Sequence, residues 1–241
     1  MGPHSNNINS NGLMSRIAHN LALIEKRIQQ AAQECGRNPG EIQLLGVSKK
    51  CSTQDIRSAY EAGVRHFGES YLQEALPKIA SLSDLAITWH FIGPIQSNKT
   101  RQIAEHFSWV HSVDRLKIAS RLSEQRPTQL MPLNICIQVN ISLEDSKSGI
   151  IGEAAKDFAL QLSELPGIRL RGLMAIVERT SNQQRQRGMF SQLRDILNDL
   201  NQNGLSLDTL SMGMTDDLEA AVMEGSTMLR IGTGLFGQRQ P

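Results

Sequence analysis

From Ile17 onward the apolar positions Ile17, Leu21, Ile24 and Ile28 recur at steps of three and four. They therefore share one face of a helix that runs to about Ala32 and is ended near Gly36 and Pro39. Ahead of that pattern, residues 1–13 are polar, rich in Asn and Gly and without periodicity, and an internal Met14 follows them; they read as a disordered or vector-derived extension. Beyond the helix the rhythm changes. A short apolar run, a polar or Gly-containing loop and a longer amphipathic segment alternate, with the apolar runs at 42–47, 64–67, 89–92, 109–111, 133–139, 169–176, 207–211 and 228–231. Between the runs lie helix punctuation signals. Ser52 and Asp55 resemble a capping box, Ser97, Asp114 and Thr215 can each cap an N-terminus, and Gly63 and Gly225 can close a C-terminus.

Strand candidates that alternate with helices predict parallel β/α units, and two architectures accept them: an open doubly wound sheet and a closed (β/α)8 barrel. The number of runs favours the barrel, as does the lack of a Gly-x-Gly-x-x-Gly after the first of them. The 241 residues suffice for a large core, and at 39% hydrophobic, with no apolar run of membrane-spanning length and no signal-peptide layout, a soluble cytoplasmic protein is expected. Charge is balanced, 25 Lys+Arg against 24 Asp+Glu for a net +1, with both signs mixed along the chain, so a nucleic-acid partner held by a broad basic field is not expected. Cys35, Cys51 and Cys136 are widely spaced and form no metal-binding cluster, which predicts free thiols and neither a disulfide framework nor a metal site.

In a barrel the chemistry belongs at the C-terminal ends of the strands, and phosphate is commonly held by the loops after the seventh and eighth. Those loops here are Ser211-Met212-Gly213-Met214-Thr215 and Arg230-Ile231-Gly232-Thr233-Gly234. Glycines admit close backbone approach to an anion and hydroxyls donate to it, although the same residues serve equally well in ordinary tight turns. The first strand ends in Lys49-Lys50, and in a closed barrel it neighbours the eighth. Side chains alternate along a strand, so only one of the two lysines can enter the mouth. There it is a charge partner or an amine nucleophile toward an aldehyde; the other reading is two solvated lysines at a strand end.

The strings LLGVSK (44–49), HFGESYLQEA (66–75), WHFIGPIQSNK (89–99), VNISLEDSKSG (139–149), LRGLMAI (170–176), SMGMTDD (211–217) and RIGTGLFG (230–237) together resemble the pyridoxal phosphate homeostasis protein family, also called the YggS/PROSC family. The resemblance spans essentially all of residues 14–238. It implies an α/β fold consisting of a single modified (β/α)8 TIM barrel over residues 14–241, with an extra N-terminal helix. This is the alanine-racemase N-terminal-domain type (fold type III), which carries pyridoxal 5′-phosphate (PLP). Residue by residue, it implies that Lys49 is the Schiff-base lysine, that Ser211, Gly232 and Thr233 bind the phosphate with Met212 beside them, and that Arg230 faces the pyridine nitrogen. Where the family pattern reads FGENY this chain has Phe67-Gly68-Glu69-Ser70-Tyr71; Ser70 keeps a hydroxyl but has a shorter reach for the cofactor. Lys147 matches a family lysine suspected of secondary cofactor contact, the alternative being a solvated loop lysine.

An arginine at the ring nitrogen can only donate a hydrogen bond, so it weakens the ring as an electron sink and makes carbanion chemistry harder. Alanine racemases add a second base, a Tyr from a separate β domain, whereas this chain ends at Pro241 and has only Tyr60 and Tyr71. The expectation is a monomeric PLP-binding protein of vitamin B6 and amino-acid homeostasis. It would hold the cofactor as an internal aldimine at Lys49, meet PLP apoenzymes transiently and turn over no substrate. The alternatives are a PLP-dependent amino-acid racemase that uses Lys49 as one base, and a barrel enzyme that forms a Schiff base with a phosphorylated metabolite. His90 and His111 read as satisfied structural histidines, Asp216, Asp217 and Glu219 as helix-dipole partners, and Arg179, Arg185 and Arg187 as a solvated face.

Overall fold

The computed structural model describes residues 10–142 and 148–238. Each apolar run forms a strand: β1 (Gln43–Val47), β2 (His66–Glu69), β3 (Thr88–Phe91), β4 (Trp109–Val113), β5 (Leu133–Gln138), β6 (Ile168–Met174), β7 (Thr209–Ser211) and β8 (Met228–Ile231). Neighbours in sequence are neighbours in the sheet, every pairing is parallel, and β8 pairs with β1, with Leu44 opposite Leu229 and Leu45 opposite Arg230, so the barrel closes. Among the described residues the helices are α1 (Ser10–Glu34), α2 (Thr53–Glu61), α3 (Leu72–Ser81), α4 (Thr100–His106), α5 (Leu116–Glu124), α6 (Ala155–Ser163), α7 (Gln183–Gln202), α8 (Leu218–Met223) and α9 (Thr233–Phe236). No helix among them is long and apolar enough to cross a membrane.

The period of two divides each strand between two cores. Phe67, Trp89, Phe91, Val110, Ile135, Leu173 and Leu229 pack outward beneath the helices. Leu45, Trp109, Cys136, Met174 and Met228 fill the barrel itself. The inward positions also include His90, His111, Ser211 and Arg230, all buried.

Local signals act where the backbone lets them. Ser52 Oγ accepts the Asp55 N–H at 3.1 Å while Asp55 accepts the Ser52 N–H at 2.9 Å, closing the capping box of α2. Gly63 and Gly225 follow α2 and α8 with φ of +117° and +98°. Three expected caps shift. Ser97 opens a short 3-10 turn, Arg115 takes the cap position of α5 in place of Asp114, and Asp217 takes that of α8 in place of Thr215. In each case the exit geometry of the loop fixes which residue precedes the first helical turn. Helix α1 reaches back to Ser10 and so takes in residues 10–13, which the sequence pattern left in the extension.

Helix α1 lies across the β8–β1 side with Ile17, Leu21, Ile24 and Ile28 buried. From it, Arg27 donates to both Glu219 carboxylate oxygens at 2.6 and 2.8 Å and to the Thr215 carbonyl at 2.9 Å, while Asn20 donates to the Leu235 carbonyl at 3.0 Å. The extra helix thus braces the loops after β7 and β8.

Candidate functional site

A cavity of about 850 Å³ opens at the C-terminal ends of the strands, and its wall includes Val47 at the end of β1 and Lys49 just past it, Ser70 after β2, Thr215 after β7, Arg230 of β8, and Gly232 and Thr233 beyond it. The volume lies in the range of cofactor pockets. Of the two lysines ending β1, Lys49 lines the cavity and Lys50 is exposed.

The placement of Lys49 comes from outside the barrel. Ser48 faces away from the cavity; its N–H donates to the Gly68 carbonyl at 3.0 Å and its hydroxyl to Glu69 Oε1 at 2.6 Å. Lys78, from α3, donates to the same Glu69 oxygen at 2.9 Å and to the Ser48 carbonyl at 3.0 Å. Just past Lys49 the chain turns sharply: the Cys51 N–H returns to the Ser48 carbonyl at 2.9 Å, and Lys50 has φ +62° with its N–H donating to Glu74 Oε2 at 3.1 Å. Glu69 is fully buried and its Oε2 has no hydrogen-bond partner among the described residues, and burial pushes its carboxyl above the usual range despite Ser48 and Lys78.

Arg230 is held from inside. Its Nη1 donates to the Ser211 carbonyl and, at 2.9 Å, to Ser211 Oγ, and its Nη2 donates to the Ala175 carbonyl at 2.8 Å. Burial lowers the guanidinium to about 10, which leaves it cationic at neutral pH. A guanidinium has five N–H donors, so the Nε proton and one Nη2 proton remain for a ligand in the cavity. Ser211 Oγ is in turn 2.8 Å from His111 Nδ1, His111 Nε2 is 2.9 Å from His90 Nδ1, and His90 Nε2 is 2.9 Å from His66 Nδ1. Trp109 stacks on His90, with centroids 5.4 Å apart and planes 13° from parallel. Burial lowers all three histidines, His66 least evidently, His90 well below its ordinary value and His111, beside Arg230, to about 3. All three are therefore neutral near pH 7.

Between the last two loops, Thr215 Oγ1 accepts the Gly234 N–H at 3.2 Å, and its own proton has no acceptor among the described residues. A Cβ on Gly234 would stand 2.8 Å from Thr215 Cγ2, so glycine is what lets the two loops meet. Gly213 has φ +93°, and a Cβ there would lie 2.5 Å from that of Ala221. Asp217 accepts the Met214 N–H, and burial pushes its carboxyl upward.

The fold thus brings Lys49, Ser70, Arg230, Gly232 and Thr233 to one wall. It does not bring Ser211 and Met212 there. The alternation of β7 turns Ser211 into the barrel, where it carries Arg230, and turns Met212 outward into the helix-facing core, fully buried, with its N–H on the Met228 carbonyl. The hydroxyl that loop offers to the cavity is that of Thr215. Lys147 lies outside the described residues. Glu219 is engaged by Arg27, Arg185 by Glu178 and Arg187 by Glu224, while Arg179 lines the cavity.

The family model for the alanine racemase N-terminal domain matches residues 14–240, so the closed barrel with a lysine at the end of its first strand is that class of domain. Solved structures agree with this. PipY of Synechococcus elongatus with PLP bound is 39% identical, with a TM-score of 0.81 over 92% of this chain and 100% of its own. Alanine racemase of Corynebacterium glutamicum, 16% identical with a TM-score of 0.67 over 93% of this chain and 62% of its own, shares the fold. The pyridoxal phosphate homeostasis protein of Pseudomonas aeruginosa is 60% identical over 226 residues, 94% of this chain and 97% of the relative. That of Escherichia coli K12 is 51% identical over 229 residues, 94% and 98% of the two chains. The chain belongs to the pyridoxal phosphate homeostasis protein family.

Proposed function

We propose that this chain binds PLP at the C-terminal mouth of the barrel and serves intracellular PLP homeostasis as a carrier. The observation that carries this reading is the meeting, in one cavity, of a primary amine, a cationic donor and hydroxyl-bearing glycine loops, namely Lys49, Arg230, Thr215 and Gly232-Thr233. That donor set suits an aldehyde, a ring acceptor and a phosphate in turn. When bound, the cofactor supplies an aldehyde that an amine can capture and a ring able to withdraw electrons.

In this reading Lys49 holds the cofactor covalently. Thr215, Gly232 and Thr233 hold its phosphate, and Ser70 lies within the same wall. Arg230, fixed by Ser211 and Ala175, would be the residue to meet the ring nitrogen, and as a cationic donor it would disfavour a proton there. That assignment supports a carrier over a catalyst, because an unprotonated ring is a weak electron sink. Of the carboxylates on the cavity wall, Asp217 accepts the Met214 N–H and Glu219 is engaged by Arg27. Ser211 and Met212 act beneath and behind this wall, and the carrier works as a cytoplasmic monomer that meets apoenzymes transiently.

Borohydride reduction followed by peptide mapping tests the site. The expected result is a yellow protein whose reduced adduct maps to Lys49 and is absent from Lys49→Ala. A colourless protein with no adduct overturns the assignment. α-Hydrogen exchange of amino acids in deuterated water tests the carrier half of the reading, and exchange at enzymatic rates would make the protein a catalyst.

A further inference from the structure

The chain of polar groups beneath Arg230 has a direction that its parts dictate. Arg230 can only donate, so Ser211 Oγ accepts from it at 2.9 Å. The single hydroxyl proton of Ser211 then has one acceptor within reach, His111 Nδ1 at 2.8 Å. An imidazole that accepts at Nδ1 and is neutral carries its proton on Nε2, which makes His111 the donor to His90 Nδ1, and the same step makes His90 the donor to His66 Nδ1. His66 Nε2 then carries the last proton at the N-terminal mouth, beside a second cavity that Glu25 and Arg65 share with it. Run in the opposite direction, the chain would give Ser211 Oγ two donors and leave its own proton without an acceptor, a costly arrangement in a fully buried group. The ionic groups flanking the chain are Arg230 at one end, Glu25 and Arg65 around the cavity that His66 lines at the other, and Arg171, which is paired with Asp208 and lies over the Trp109 ring that stacks on His90.

We propose that Ser211, His111, His90 and His66 are positioning residues for Arg230. They form one directional chain of neutral imidazoles that crosses the barrel from mouth to mouth and fixes the guanidinium with its spare N–H donors toward the cavity. Because the chain ends on a group that only donates, it cannot pass a proton to the cavity. It leaves Arg230 as the cation at the cavity end of the chain. The consequence for the ligand rests on the PLP reading above; the direction of the chain does not.

The test is 15N NMR of the histidine-labelled protein without added ligand near pH 7. The expected spectrum has His66, His90 and His111 all neutral and protonated on Nε2. In Ser211→Ala the His111 nitrogen loses its donor, so the signals of His90 and His66 should move as well, and Ser211→Thr, which keeps the hydroxyl, should restore the wild-type pattern. A Nδ1-protonated or cationic His90 or His111 in the wild type overturns the proposal. So does a Ser211→Ala spectrum in which only His111 responds. If Ser211→Ala does not fold, His66→Leu cuts the chain at its half-buried end, and it should move the His90 and His111 signals for the proposal to stand. In the holo protein Ser211→Ala is expected to bind PLP about tenfold more weakly and to shift its absorbance maximum. Absence of a borohydride adduct in the wild type would defeat the PLP reading and leave the NMR outcome standing on its own.

Discussion

Lys49 and Arg230 stand on neighbouring strands of one mouth, yet they are held by opposite means. The turn that carries Lys49 is fastened outside the barrel by a buried ion pair, Glu69 with Lys78, bonded to Ser48. Arg230 is fastened inside the barrel by backbone carbonyls and a file of uncharged imidazoles. The contrast follows from what each support must not do. A second cation inside the barrel would compete with Arg230 for the same acceptors, whereas α3 can bring a charge to the outer layer, where Lys78 keeps its flank against Glu74 at 3.9 Å. The turn that carries Lys49 is thus held through a buried ion pair, and the guanidinium of Arg230 through hydrogen bonds to uncharged groups.

Breaking the outer support should have the largest effect. Lys78→Met leaves the Glu69 carboxylate buried without its cation, and loss of one partner of a buried pair costs about 3–5 kcal/mol. Urea denaturation should show that loss, and the double variant Lys78→Met/Glu69→Leu should recover most of it. Equal destabilisation in the single and double variants would mean that the Lys78 stem, and not its charge, holds the turn.

Acid sharpens the comparison because the two supports respond with opposite signs. Burial lowers His66, His90 and His111 in the folded state, so below about pH 6.5 the unfolded chain binds more protons than the folded one. Stability therefore falls as the pH drops through that value, by about 1.4 kcal/mol per pH unit for each histidine, until the folded value is reached, which for His111 is about 3. Glu69 is raised in the fold, so its contribution is present below about pH 4.5 and lost as the pH rises through the folded value. Thermal melts between pH 7.5 and 5.5 should show falling stability, less steeply in His66→Gln and at least as steeply in Glu69→Gln. A flat wild-type profile would show that the inner chain is not kept neutral by the fold.

The outer architecture was legible in the sequence and the inner one only in part. The short apolar runs give the strands of the described barrel, since a parallel barrel strand must present an apolar outer face to its helices, and Ser52-Asp55 gives a real cap because both partners lie within one turn. Position at the end of the first apolar run, next to the eighth, singled out the pair Lys49-Lys50; the choice of Lys49 came from the family resemblance, and it is Lys49 that lines the cavity. The family motif set Ser211 and Met212 at the cofactor; the alternation along β7 instead points Ser211 to Arg230 and Met212 to the core, and Thr215 faces the cavity. His90 and His111 are satisfied histidines, as their strand positions suggest. Their partners, however, lie 21 and 100 residues away, on strands whose register no local pattern encodes. Lys78 belongs to no motif, and nothing in its own neighbourhood along the chain ties it to Ser48.

The smallest expected effect concerns the turn between the two supports. Lys50 adopts φ +62°, a region that costs a residue with a side chain about 1 kcal/mol and costs glycine nothing, and the bond from its N–H to Glu74 would survive any substitution except proline. Glycine loses more chain entropy on folding, so Lys50→Gly should differ little from the wild type. Lys50→Ala keeps the strain, so Lys50→Gly should be the more stable of the two by about 0.5–1 kcal/mol, measured by urea denaturation. A bias toward alanine would mean that the turn relaxes out of the left-handed region in solution. The Glu69–Lys78 pair would then hold the Ser48 carbonyl without fixing the direction in which Lys49 leaves the strand.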